Sequence, residues 1–205
     1  MATSLERLKS GYTNGGRGAA QRLMAGAGAI PITPNQLTVL GFAITACSGV
    51  LLYERQYVLA AIVFVVGSVL DALDGALARA HGKGTPFGGF LDSTLDRVSD
   101  GIILGAIALV LAEDGDMLAL ACVFVALVGS FLISYTRAKA EALGLRGDVG
   151  LMARLERIVL LAVAIPFGGY GSLPYAVYLL AGLTAFTVMQ RVLFVHRQLT
   201  QKAEG

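Results

Sequence analysis

Five of the fourteen acidic residues crowd into residues 67–100, GSVLDALDGALARAHGKGTPFGGFLDSTLDRVSD, at the ends of two long apolar segments. Asp71 and Asp74 are spaced i, i+3, and Asp92 and Asp96 i, i+4, so on helices each pair shares a face. The connection between the segments, at about residues 81–87, is short. It predicts antiparallel neighbours whose four carboxylates converge at one end. Two unit charges ~5 Å apart repel by about 3 kcal/mol at an effective dielectric near 20, so the group needs either protons or cations. Oxygen donors alone point to a hard ion, Mg²⁺, Mn²⁺ or Ca²⁺, and not to Zn²⁺. Four carboxylates suffice for two ions about 3.5–4 Å apart, the arrangement that clamps phosphates during a displacement.

The neighbouring residues suit phosphate too. Gly75 follows Asp74 and leaves room for a ligand, and Arg79, one turn on, can pair with a phosphate. The turn Gly82-Lys83-Gly84-Thr85 offers N–H groups and a hydroxyl to an anion. The plainer alternative makes Asp71–Arg79 and Asp96–Arg97 ion pairs and the glycines packing residues. A second, basic cluster runs through Ser134-Tyr135-Thr136-Arg137-Ala138-Lys139-Ala140-Glu141, Gly144-Leu145-Arg146-Gly147-Asp148 and Arg154-Leu155-Glu156-Arg157, with Arg191 farther on. In a compact bundle these cations ring the cavity that holds the aspartates and favour an acceptor carrying its own phosphate. A cluster of positive charge solvated at the headgroups is the competing reading.

The elements that must position these groups follow from composition. Apolar side chains make up 56% of the 205 residues and charged ones 15%, against about 25% charged in soluble domains. That excludes a soluble globule and a disordered chain. Net charge is only +2, so nothing points to nucleic acid as a partner. Six apolar segments at about 35–53, 57–80, 88–112, 117–142, 153–169 and 173–197 predict an all-α, polytopic membrane protein with six transmembrane helices. Residues 1–29 read as an N-terminal amphipathic surface helix on the bilayer, or else as a solvated arm. Residues 30–205 form the bundle, and the whole chain is one domain. Thr33 is the expected N-cap of the first span, with Pro34 as its first residue.

Fifteen of the sixteen Lys and Arg residues fall on one side of this arrangement, and Arg55 alone on the other. By the positive-inside rule both termini and the aspartates are cytoplasmic, in a cell membrane. Cys47 and Cys122 sit in apolar runs and read as small buried hydrophobes. The 26 glycines read mostly as close helix-packing positions.

The order Asp71-x-x-Asp74-Gly75-x-x-Ala78-Arg79, eight residues, then Gly88-x-x-x-Asp92-x-x-x-Asp96 resembles the signature of the CDP-alcohol phosphotransferase family at all its fixed positions. The resemblance implies transfer of a phosphatidyl group from a CDP-linked lipid, CDP-diacylglycerol, to an alcohol, with release of CMP. It implies that Asp71, Asp74, Asp92 and Asp96 bind two divalent ions, Mg²⁺ or Mn²⁺, and that Asp96 is the base for the acceptor hydroxyl. Ile32, Thr33, Pro34, Asn35, Gly75, Arg79 and Thr85 would hold the CDP part of the donor. The basic cluster is similar to that of phosphatidylinositol-phosphate synthases, which implies inositol 1-phosphate as acceptor, gripped by Arg137 or Lys139, Arg154 and Arg191. That group often has Glu-Arg-x-Glu-Arg where this chain begins with Ala153. A homodimer is also implied. Glycerol 3-phosphate as acceptor, an archaetidyl donor, and a membrane cation transporter stand as alternatives.

Overall fold

The structure, a computed structural model, describes residues 33–80 and 85–204. The expected N-terminal surface helix (residues 1–29), Ile32 and residues 81–84 lie outside the described residues. Six α-helices follow: α1 (Pro34–Tyr53), α2 (Tyr57–Ala80), α3 (Pro86–Glu113), α4 (Met117–Ala142), α5 (Arg154–Ala164) and α6 (Ser172–Glu204). Their starts follow the six apolar segments to within two residues; α6 runs seven residues past the end of its segment, and the fifth differs in kind. There the α-helix stops after 11 residues and Ile165–Tyr170 continues as a 3₁₀ helix, because Pro166 has no N–H to extend the α-helical ladder. Four helices are long and apolar enough to cross a membrane: α1, the Tyr57–Ala76 part of α2, α4 and α6 up to Lys202. In α3 the stretch up to residue 100 carries Asp92, Asp96, Arg97 and Asp100, which dilutes its hydropathy.

Helix starts are set by side chains. Thr33 caps α1 in a full capping box with Gln36 and Pro34 opens the helix, as expected of that tripeptide. Thr85 caps α3 by accepting from Gly88 N at 3.0 Å.

α1 is the spine of the half that carries the aspartates. Its buried face is Thr38, Gly41, Thr45, Ser48, Gly49 and Leu52, a stripe of mostly small residues that lets two helices approach closely. α2 runs antiparallel to it: Ser48 Oγ donates to Ala60 O at 2.8 Å. A Cβ on Gly67 would stand 2.4 Å from Thr45 Oγ1 and 3.0 Å from Gly41 O. α3 runs parallel to α1, with Asn35 against Gly88 and Gly49 against Ile102. α2 and α3 therefore both pack on α1, and close backbone packing between the two is nearly lacking among the described residues. This corrects the expectation of directly packed α2 and α3: they are antiparallel, but each packs its backbone on α1, and they meet across a cleft through side chains. α4 pairs with α6, where Gly129 admits Thr184.

Large apolar side chains such as Val58, Leu118, Phe124 and Val163 point outward and are more than 60% exposed. Outer faces of this kind belong against lipid chains, and the chain is a multi-pass membrane protein. At the end of the bundle away from the aspartates, Arg55 pairs with Asp114 at 2.8 Å and Glu113 at 3.3 Å, tying two turns together. Both cysteines are free, but Cys47 is exposed on the outer face of α1 and not buried. The packing role assigned to the glycines holds at Gly41, Gly49, Gly67 and Gly129, whereas Gly101, Gly105 and Gly182 face open space.

Candidate active site

Helical periodicity alone puts Asp71 and Asp74 on one face of α2, and the close α1–α2 contact turns that face into the cleft. Asp74 is 4% exposed and Asp71 9%. Asp92 reaches across from α3. One carboxylate oxygen from each of Asp71, Asp74 and Asp92 lies within 4.8 Å of the others, and Asp74 Oδ2 is buried with no hydrogen-bond partner. Three converging carboxylates with a desolvated, unpartnered oxygen fit a divalent cation, and an all-oxygen donor set selects Mg²⁺ or Mn²⁺ over softer metals.

Asp96 stands apart from that trio. Its Oδ1 faces Arg154 of α5 at 2.8 Å, and the same guanidinium also donates to Asp71. One turn further along α3, Asp100 accepts from Arg157 at 2.6 Å. That arginine's side chain is only 4% exposed. The reading of the sequence missed the Asp100–Arg157 pair. Its signal was the i, i+4 step from Asp96 to Asp100, matched by Arg154 to Arg157 at i, i+3.

Arg154 is delivered to the cleft by the segment 143–153, which α6 straps down. Gln198 exchanges two hydrogen bonds with the Arg146 backbone, at 3.1 and 2.8 Å. Met152 N donates to Thr187 Oγ1 at 3.1 Å. Gly150 has φ +122° and a Cβ there would meet Thr187 Cγ2 at 2.4 Å, so no other residue fits comfortably. Arg146 beside Asp148 holds that carboxyl below its usual range, and the pairing keeps Arg146 on the strap. Arg191 is buried and donates to Val149 O at 2.8 Å and to Ile133 O.

A cavity of about 140 Å³ opens between these groups, with Asp96, Asp100 and five arginines, Arg97, Arg137, Arg154, Arg157 and Arg191, in its wall. Five cations against two carboxylates give its wall a net positive charge, which suits an anion. A larger cleft of about 760 Å³ between α3 and α4 carries none of the aspartates and shares only Arg97 and Ser134 with it. Of the basic residues expected to hold an acceptor, Arg137, Arg154 and Arg191 line the small cavity. Lys139 is exposed and not in its wall. On the donor side, Asn35 Oδ1 and Thr85 Oγ1 meet at Gly88, where a Cβ would come within 2.8 and 3.1 Å of them. The starts of α1 and α3 thus share one corner. Thr33 and Pro34 begin α1 at that corner, and Gly75 follows Asp74 on α2. The Arg79 side chain, like Ile32, lies outside the described residues.

Residues 31–189 match the profile of CDP-alcohol phosphatidyltransferase. The chain belongs to this family. It is 46% identical over 163 residues to the archaetidylinositol phosphate synthase of Pyrococcus horikoshii, covering 78% of this chain and 82% of that one. It is 38% identical over 170 residues to the phosphatidylinositol phosphate synthase of Corynebacterium glutamicum, covering 80% and 77%. The crystal structure of Mycobacterium tuberculosis phosphatidylinositol phosphate synthase with CDP-DAG bound superposes with a TM-score of 0.76 at 31% identity, over 88% of this chain and 92% of that one. A second structure of the same enzyme holds manganese and citrate. Membership in a transferase family tells against the cation-transporter reading.

Proposed function

We propose that this chain transfers the phosphatidyl group of CDP-diacylglycerol to inositol 1-phosphate, giving phosphatidylinositol phosphate and CMP. One observation carries the choice of acceptor: the arginine-lined cavity has Asp96 in its wall, and Arg154 links it to Asp71 of the carboxylate trio. An acceptor whose phosphate lies among Arg137, Arg154 and Arg191 would present a hydroxyl to Asp96. Asp96 takes that proton, the hydroxyl oxygen attacks the lipid-side phosphorus, the pyrophosphate bond breaks, and CMP leaves. Asp71, Asp74 and Asp92 hold the divalent ion. Bound there, it supplies neutralisation of the pyrophosphate and of the charge that builds at phosphorus. Asp96 would complete the shell of a second ion. Asn35, Thr85 and Gly75, with Thr33, Pro34, Ile32 and Arg79, form the CDP side of the site.

Two named relatives agree on an inositol phosphate product and differ in the lipid, archaetidyl in one and phosphatidyl in the other. The 46% identity to the archaeal enzyme favours, as a second reading, the same acceptor with an archaeol-based donor. The deciding experiment is CMP release by purified protein with Mg²⁺, either CDP-lipid, and inositol 1-phosphate, glycerol 3-phosphate or free inositol. Inositol 1-phosphate is expected to be the only efficient acceptor. Release with glycerol 3-phosphate instead would assign a phosphatidylglycerophosphate synthase, and no release with any alcohol would return the question to transport.

The topology belongs to the same reading. α3, at 28 residues, is about 42 Å long, and α5 with its 3₁₀ continuation reaches about 28 Å, close to a hydrocarbon core of about 30 Å. Six spans, with both termini and the site on the cytoplasmic face of the cell membrane, satisfy the charge asymmetry. The chain is one domain and works as a homodimer.

Arg154→Gln tests the acceptor grip. Losing a charge-assisted hydrogen bond costs about 1.5–3 kcal/mol, so the KM for inositol 1-phosphate is expected to rise roughly 10- to 100-fold while that for the CDP-lipid stays within about threefold. Equal changes in both constants would remove Arg154 from acceptor selection.

A further inference from the structure

Arg154 is claimed from two sides. Its guanidinium donates to Asp71 and lies 2.8 Å from Asp96 Oδ1, and Asp71 is also one of the three carboxylates that fit a divalent cation. Asp71 is therefore a shared counterion. A guanidinium drawn to it and a cation drawn to it repel one another, so each weakens the other's hold. Arg154 also lines the arginine-rich cavity, where a phosphate offers the alternative partner.

The other cavity arginines are tied elsewhere. Arg97 donates to the Ser93 carbonyl, Arg137 pairs with Glu141, Arg157 with Asp100, and Arg191 with two backbone carbonyls. None of those partners belongs to the trio. Arg154 also has room to turn, its side chain being 29% exposed against 4% for Arg157.

We infer that Arg154 is a counterion switch joining the two subsites: it leaves Asp71 when a divalent cation is held by Asp71, Asp74 and Asp92, and its guanidinium then serves the acceptor's phosphate. The inference rests on the acceptor reading above. Coupling of this kind is reciprocal, so a phosphate that draws Arg154 into the cavity tightens cation binding by the same factor that the cation tightens the phosphate. Donor-side metal and acceptor then load cooperatively, which keeps the acceptor site weak until the metal is in place.

The test measures Mn²⁺ affinity of the full-length protein in detergent, from the EPR signal of free Mn²⁺, with no turnover. Arg154→Gln is expected to bind Mn²⁺ about 5- to 50-fold more tightly than the parent. Saturating inositol 1-phosphate should tighten Mn²⁺ binding in the parent by a similar factor and by less than about twofold in Arg154→Gln. Arg154→Lys, which keeps the charge but not the fork, should fall between the two, and Arg137→Gln should keep the parent's own Mn²⁺ affinity. Unchanged or weaker Mn²⁺ binding in Arg154→Gln overturns the switch. So does a parent indifferent to inositol 1-phosphate, or an effect that persists in the variant. Inositol 1-phosphate failing to support CMP release would sink the acceptor reading alone, because the Mn²⁺ shift in Arg154→Gln is read without any substrate.

Discussion

Asp96→Asn is expected to lower kcat by about 10²–10⁴, the range that a positioned general base supplies, while the protein still binds its CDP-lipid and Mn²⁺. The geometry separates these effects. Asp96 lies outside the group of carboxylate oxygens that gather within 4.8 Å of one another, and its neighbour is Arg154. Replacing it by the isosteric amide removes a proton acceptor and leaves Asp71, Asp74 and Asp92 intact. Asp74→Asn should behave differently. It alters one of the three carboxylates whose oxygens gather within 4.8 Å of one another, and Mn²⁺ binding should fall together with turnover. CMP release under saturating substrates, paired with Mn²⁺ titration of both variants, reads the contrast. An Asp96→Asn enzyme that turns over at more than about a tenth of the parental rate would remove Asp96 from the role of base. Matching losses of Mn²⁺ affinity in the two variants would instead make Asp96 a ligand of the same rank as the trio.

The second large effect concerns stability. Arg157 and Asp100 form an ion pair at 2.6 Å with side chains only 4% and 15% exposed. Removing one member of such a pair strands a desolvated charge, at a cost of about 3–5 kcal/mol. Asp100→Ala is therefore expected to lower the thermal midpoint in detergent markedly. Arg157 has one other partner, the Met152 carbonyl at 3.3 Å, too weak a contact to compensate. The double variant Asp100→Leu/Arg157→Met should recover most of the loss, because apolar side chains of similar volume often replace a buried ion pair without penalty. Its activity should not recover, since both residues line the cavity beside Asp96. A single variant as stable as the parent would show that water reaches the pair and that it does not hold α5 to α3.

These two results bear on one design. The aspartates of α2 and α3 and the arginines of α5 come from opposite halves of the chain, and their charges offset one another at membrane depth, where neither set is tolerable alone. The strap at 143–153, pinned by Thr187, Arg191 and Gln198 of α6, fixes where α5 begins and so where its arginines enter.

Much of this was legible in the amino-acid sequence. Spacings of three and four residues decide which side chains share a helix face, so Asp71 with Asp74 and Asp92 with Asp96 were paired before any fold was known. Apolar run length marked α1, α2 and α4 to within a residue or so, and Thr33-Pro34 marked the first helix start, because caps and hydropathy are local properties. The tertiary structure decided the rest. It packed α2 and α3 each on α1, facing one another across a cleft, and it did so through a stripe of small residues whose partner helix no periodicity names. It set Asp96 opposite Arg154 and apart from the trio, and joined Asp100 to Arg157 across 57 residues. Which counterion a carboxylate meets depends on how distant helices stack, and that is settled by packing over the whole bundle. Local pattern can state which way a side chain faces, but not what waits on the other side.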